Sequence, residues 1–218
     1  MTQDKYVIWD FNGTIIDDVD VSFRAINMLL GEYGLRRLSS HDEYRGLLCF
    51  PVIDYYRKLG FDFDKIDFKI PADRWVEIYR SLGNEIKLRD DVVCAAKELK
   101  KDGYIQTILS ASDTKMLSSQ LYSLHADDLF DEIYGKDDVY AYGKLDLAEK
   151  WKRKHAGCKA VFVGDMPHDY DSAEIIGCPC VLLTGGHSTR KDLELCSGAV
   201  VIDAADDLFG VITGLLGG

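Results

Sequence analysis

Long apolar runs are missing from this sequence. The first apolar stretch covers only Tyr6–Trp9, too short for a signal-peptide core or a membrane span, and no basic n-region precedes it. The expectation is a cytoplasmic protein with no membrane partner. Positive charge is also in short supply: 26 Lys+Arg face 37 Asp+Glu, a formal −11, and the acids are scattered as pairs such as Asp17-Asp18 and Asp90-Asp91. That balance excludes a general nucleic-acid or acidic-membrane binder. A local basic run, Lys150-Trp151-Lys152-Arg153-Lys154, lies in a helix-like segment and reads as a solvated face. A cysteine framework is lacking too. Cys49, Cys94, Cys158, Cys178, Cys180 and Cys196 are spread without pattern, which suits reduced thiols. Cys178-Pro179-Cys180 has no evident partners for a four-ligand zinc site, so buried thiols are expected there. There is no internal repeat, low-complexity tract or flexible linker. With 47% hydrophobic and 29% charged composition over 218 residues, the chain can bury one sizeable core, or a core plus a small second unit.

Short apolar runs bounded by turn residues recur at Tyr6–Trp9, Tyr104–Leu109, Ala160–Val163, Cys180–Leu183 and Ala199–Ile202. Helical patterns lie between most of them. This alternation predicts an α/β fold, a doubly wound, mostly parallel sheet covered on both faces. Between about Asp18 and Arg89 no convincing strand occurs. Val19, Phe23, Ile26, Leu30 and Tyr33 form one helical stripe that stops at Gly34, and Pro51…Gly60 and Pro71…Gly83 bracket further helices. The expected organisation is a core of residues 1–17 and 89–218 with a helical cap of residues 18–88 inserted through short hinges. Tyr55, Tyr56, Trp75 and Tyr79 are expected to pack helix against helix within that insertion.

In an open parallel sheet, ligands gather at the carboxyl ends of the strands. The residues that follow the apolar runs are Asp10 and Asn12, then Ser110, Ala111 and Ser112, then Asp165 and Asp169; Lys144 opens a helix after Gly143. Two acids from distant strands, a lysine and a hydroxyl at one rim suit a divalent cation and a phosphoryl group. Mg²⁺ takes oxygen ligands, which Asp10 and Asp165 supply. Lys144, Ser110 and the backbone N–H groups around Gly13 and after Ser110, at Ala111, suit phosphate oxygens. Asp10 is the natural nucleophile. Taken singly, each residue reads better as a turn, cap or surface residue. Their order at successive strand ends is what points to a site.

On these motifs the chain resembles the haloacid dehalogenase superfamily with a helical cap of the first type, and within it the phosphoglycolate phosphatase-like members. Asp10-Phe11-Asn12-Gly13-Thr14 follows that family's Asp-x-Asp-x-Thr except at the second acid. Ser110, Lys144 and Gly164-Asp165-Met166-Pro167-His168-Asp169 match its remaining motifs. The resemblance implies Mg²⁺ held by Asp10, the Asn12 carbonyl and Asp165, with Asp169 supporting from behind. It also implies hydrolysis of a small phosphorylated metabolite through an aspartyl-phosphate. In the family's phosphatases the second acid protonates the leaving alcohol and then activates water, and Asn12 can relay no proton. A low-turnover phospho-ligand binder, or a hydrolase of phosphonates or acyl phosphates, is the alternative. Phosphonate cleavage would need a cap lysine, and Lys58, Lys65 and Lys69 read as surface residues. Arg45, in the segment Arg45–Pro51 expected to project from the cap into the site, is a candidate substrate contact. Asp18 reads as the N-cap of the first cap helix, and His168 as a solvated loop residue.

Overall fold

The computed structural model describes residues 3–137, 143–203 and 207–217. Six parallel strands form one sheet: β1 (Lys5–Trp9), β4 (Ile105–Asp113), β5 (Glu132–Lys136), β6 (Lys159–Gly164), β7 (Cys180–Leu183) and β8 (Ala199–Ile202), in the order β5-β4-β1-β6-β7-β8. β1 lies at the centre, where strand order reverses, the position at which open α/β sheets bind ligands. Successive side chains of β1 face opposite ways. Val7 and Trp9 join one apolar cluster, and Tyr6 and Ile8 the other. Helices α5 (Asp90–Lys101), α6 (Thr114–Ser123) and α10 (Leu208–Leu215) supply Val92, Leu117 and Ile212 to the first cluster. Helices α7 (Leu145–Lys154), α8 (Pro167–Ile176) and α9 (Arg190–Glu194) supply Trp151, Ala173 and Leu193 to the second. A sheet buried on both faces explains why its central strands read as continuous apolar runs.

Two strands depart from the sequence expectation. β5 is an edge strand with only Tyr134 fully buried, so its mixed polarity gave no run to detect. The expected strand-free stretch ends in β3 (Lys87–Leu88), which pairs antiparallel with β2 (Ile16–Asp17). Two residues are too few for any period to register. This ribbon, with Arg89 N–H donating to the Ile15 carbonyl at 2.9 Å, sets the entry and exit of the insertion side by side. Between them lie α1 (Val19–Glu32), α2 (His41–Leu47), α3 (Val52–Lys58) and α4 (Lys69–Ser81). α2 begins at Ser40, whose hydroxyl accepts the Glu43 N–H at 3.1 Å while Glu43 accepts the Ser39 N–H at 2.7 Å, a reciprocal cap.

The basic run on α7 is solvated as expected. Lys152, Arg153 and Lys154 are exposed, while Trp151 is buried against Tyr6. All six cysteines are free thiols, and burial pushes Cys178 up to about 12, which makes it inert. Among the described residues no helix is long and apolar enough to cross a membrane.

Candidate active site

The strand ends converge as the topology requires. Asp10 follows β1, Ser110 lies within β4, Asp165 follows β6, and Lys144 is the residue before α7. All four are buried, with Asp165 wholly so and Lys144 2% exposed. The Lys144 ammonium pairs with Asp10, with Asp169 Oδ1 at 2.5 Å, and donates to the Leu109 carbonyl at 3.0 Å. Burial works against its charge, but the Asp10 and Asp169 carboxylates outweigh burial and hold its pKa up. The Asp10 pKa is raised as well, above the usual carboxylate range, because burial and the neighbouring Asp169 and Asp165 outweigh Lys144. Burial and Asp169 likewise raise Asp165, against His187, which lowers it. Three carboxylates around one ammonium leave the cluster short of positive charge.

Asp10, Asp165 and Asp169 each offer an oxygen, and these oxygens lie within 4.8 Å of one another. An all-oxygen, electron-rich set of this kind suits Mg²⁺. The loop is braced from below: Asp169 Oδ2 accepts the N–H groups of Asp165 at 2.9 Å and Met166 at 2.8 Å. Asp165 accepts from Thr14 Oγ1 at 2.8 Å and from the His187 N–H at 2.6 Å. Gly13 has φ +74°, and a Cβ there would stand 2.4 Å from Asp165 Oδ2. Only glycine tolerates both the left-handed backbone and that approach.

Asn12 turns toward the insertion. Its Nδ2 donates to Asp18 Oδ2 at 2.9 Å and to Tyr79 Oη at 3.2 Å, and its Oδ1 accepts from Ser112 Oγ at 2.8 Å. Asp18 sits at the N-cap position of α1, yet its side chain caps nothing. It accepts instead from Asn12, from the Gly13 N–H at 2.9 Å, from Tyr79 Oη at 2.8 Å, from His187 Nε2 at 3.0 Å and from Ser22 Oγ at 3.3 Å. The capping expectation for Asp18 is thus corrected, because a buried carboxylate beside five donors does better than at a helix end with one. His187 was not foreseen. Burial alone would lower its pKa, but Asp18 raises it, and its Nδ1 meets Tyr44 Oη at 2.9 Å.

Other expectations are also revised. Arg45 lines no part of the cavity; its guanidinium donates to the carbonyls of Gly186 at 2.8 Å and Gly185 at 3.4 Å, tying α2 to the loop after β7. β4 runs on through Ser112 to Asp113, which caps α6 by accepting the Met116 N–H at 2.9 Å. The N–H of Gly13, expected to meet phosphate, donates to Asp18. His168 is not solvated. It stacks on Phe50 at 4.7 Å and accepts the Lys144 N–H at 3.0 Å, and burial with Lys144 nearby lowers its pKa to about 4. Tyr55, Tyr56, Trp75 and Tyr79 pack within the insertion as expected, Trp75 stacking on Tyr79 at 4.9 Å, and they also line a cavity of about 160 Å³ together with Asp10, Ser110, Ala111 and Lys144. Leu48 and Phe50 of the Arg45–Pro51 segment line it as well, whereas Lys58, Lys65 and Lys69 do not.

Residues 7–183 match the family model of the haloacid dehalogenase-like hydrolases. The chain belongs to that family. Among curated proteins it is 23% identical over 219 residues to a phosphoglycolate phosphatase of Aliivibrio fischeri, covering 96% of each chain. It is 28% identical over 220 residues to one of Photorhabdus laumondii, covering 95% of this chain and 92% of that one. Among solved structures, a haloacid dehalogenase-like hydrolase from Streptococcus pneumoniae superposes with a TM-score of 0.78 at 22% identity, over 92% of this chain and 94% of that one. The fold of this haloacid dehalogenase-like hydrolase is therefore the one its sequence motifs imply.

Proposed function

We propose that the protein is a Mg²⁺-dependent phosphatase of a small phosphorylated metabolite, acting through an aspartyl-phosphate on Asp10. The observation that carries this reading is the buried convergence of Asp10, Lys144, Asp165 and Asp169 from three separate segments of the chain. The phosphoglycolate phosphatases to which the chain is similar support the same reaction class.

Asp10 supplies a carboxylate oxygen for in-line attack on phosphorus. Lys144, charged and braced by Asp169, lies where it neutralises the phosphoryl oxygens, and Ser110 with the Ala111 N–H offers further donors at the end of β4. Asp10, Asp165 and the Asn12 carbonyl would hold Mg²⁺, whose charge would offset repulsion between the nucleophile and the phosphate. Asp169 positions Asp165 by gripping its backbone N–H. We assign residues 18–88 the role of a cap that excludes water and selects the substrate, because their side chains form the wall opposite Asp10.

A screen of phosphate monoesters and anhydrides with Mg²⁺ tests the reading. Turnover is expected, and Asp10→Ala is expected to lower it by at least ~10³-fold, as loss of a nucleophile does. Undiminished turnover in Asp10→Ala would refute the mechanism, and no turnover on any substrate would favour a phospho-ligand binder.

A further inference from the structure

The cavity above Asp10 has no cation to spare. Of its described lining residues, only Lys144, His168 and His187 can carry positive charge, and each is engaged. Lys144 is held by Asp10, Asp169 and the Leu109 carbonyl. Both ring nitrogens of His187 are taken, by Asp18 and Tyr44. His168 is stacked on Phe50 and accepts the Lys144 N–H. Residues 138–142 contain no lysine or arginine. Asp18 and Asp113 add negative charge to the wall. A substrate carrying a second anion beyond its phosphate would bury that anion without a partner, which is strongly unfavourable.

What the wall does offer is aromatic and aliphatic surface, from Phe50, Tyr55, Phe68, Trp75, Val76 and Met116. The volume, about 160 Å³, is close to that of an engineered cavity of ~150 Å³ that admits benzene. The Tyr55 hydroxyl lies behind this surface, closed off from the cavity and without a hydrogen-bond partner among the described residues. The third observation is Asn12, whose amide cannot protonate a departing alkoxide. A phenol, with an ordinary pKa of ~10, leaves readily as its anion.

Resting on the phosphatase reading above, we infer that the substrate is a phosphate monoester of a small, uncharged phenol whose ring lies against the apolar wall of the cavity. An Asp10 carboxylate oxygen bonds to phosphorus as the phosphorus–phenol oxygen bond breaks, and the bonding pair leaves on the phenolate. Water then attacks phosphorus and the bond to Asp10 breaks, restoring the carboxylate and releasing dihydrogen phosphate. One proton passes through water from that product to the phenolate, giving phenol and hydrogen phosphate. The first step needs no protein acid.

The test is kcat/KM for the full chain with Mg²⁺ on phenyl phosphate, benzyl phosphate, 2-phosphoglycolate and acetyl phosphate. Phenyl phosphate is expected to exceed benzyl phosphate by ~10²-fold or more, the usual worth of a missing general acid. It should exceed 2-phosphoglycolate by a similar ~10²-fold, since the second anion finds no partner. Trp75→Ala should lower the ratio of phenyl to acetyl phosphate turnover by ~10-fold. If benzyl phosphate or 2-phosphoglycolate matches phenyl phosphate, or only acetyl phosphate turns over, this inference falls. Asp10-dependent turnover would in those cases leave the phosphatase reading standing. Absence of Asp10-dependent turnover on all four overturns both.

Discussion

The two sides of the cavity differ in how their polar atoms are treated. On the core side every site carboxylate has partners: Asp10 and Asp169 share Lys144, and Asp165 takes Thr14 and the His187 N–H. These groups sit on strand ends and on the first turns of helices, where the backbone is fixed by the sheet. On the insertion side the surface beyond Asp18 is mostly rings and aliphatic groups, and the Tyr55 hydroxyl is buried behind it with no partner among the described residues. A satisfied polar network holds one geometry; an apolar wall holds shape and volume. The core side is therefore built to perform one step on a phosphoryl group, and the insertion side to choose what that group is attached to. The two meet at Asn12, whose amide faces Asp18 and Tyr79 together.

The largest expected effect comes from changing that meeting point. Asn12→Asp would set a second carboxyl 2.9 Å from Asp18, where two carboxylates cannot both ionise, so one holds a proton near neutral pH. A protonated carboxyl there can serve a leaving alkoxide. The expected outcome is a rise of ~10- to 100-fold in kcat/KM for benzyl phosphate, within the range of general acid catalysis, and little change for phenyl phosphate. Steady-state kinetics on the two esters checks it. Equal response of both esters would mean that the core side does not distinguish leaving groups by proton demand.

Much of the core side was legible in the sequence, and the reason is geometric. Asp10, Ser110, Lys144 and Asp165 each follow an apolar run or open a helix, and a parallel sheet sends all such positions to one rim. The same rule applied to the run Cys180–Leu183 leads to the loop Thr184-Gly185-Gly186-His187, so a signal for His187 existed. Asp18 was misread because an acid before a helix is normally a cap, and nothing local says that Tyr79, 61 residues on, supplies a better donor. The insertion side was harder. Helical spacing identified its aromatic residues as buried but not whether they bury one another or a cavity, since both give the same period. Arg45 failed for a related reason: its partners, the carbonyls of Gly185 and Gly186, lie about 140 residues away, beyond any local pattern.

His168 ties the two sides together through Phe50, and its titration measures how firmly. Its pKa is lowered in the folded protein to about 4, from an ordinary value near 6.5. For a histidine held neutral, that stability is present above about pH 6.5 and is lost as pH falls toward 4. At pH 5 the loss is ~2 kcal/mol, from 1.5 pH units at ~1.36 kcal/mol each. Urea unfolding of wild type and His168→Gln at pH 7.5 and pH 5 should show the gap between them shrinking by that amount. A gap independent of pH would mean that His168 is open to water, and the two sides less tightly joined than the stacking at 4.7 Å implies.

The smallest effect probes the unpaired hydroxyl of the insertion side alone. Tyr55→Phe keeps the ring, and with it the edge contacts to Tyr44 at 6.2 Å and Tyr56 at 6.1 Å. It removes an oxygen that is buried without a partner, whose desolvation is lost on folding and not regained. The ligand-free variant should therefore be more stable than wild type by ~1 kcal/mol, a rise in Tm of roughly 2–4 °C for a chain of this size. Most removals of a buried tyrosine hydroxyl go the other way, because the hydroxyl is usually paired. The sign of the shift in a thermal melt is thus decisive: a fall would show that the Tyr55 hydroxyl is satisfied in the free protein, and that the insertion side pairs its buried polar atoms as fully as the core side does.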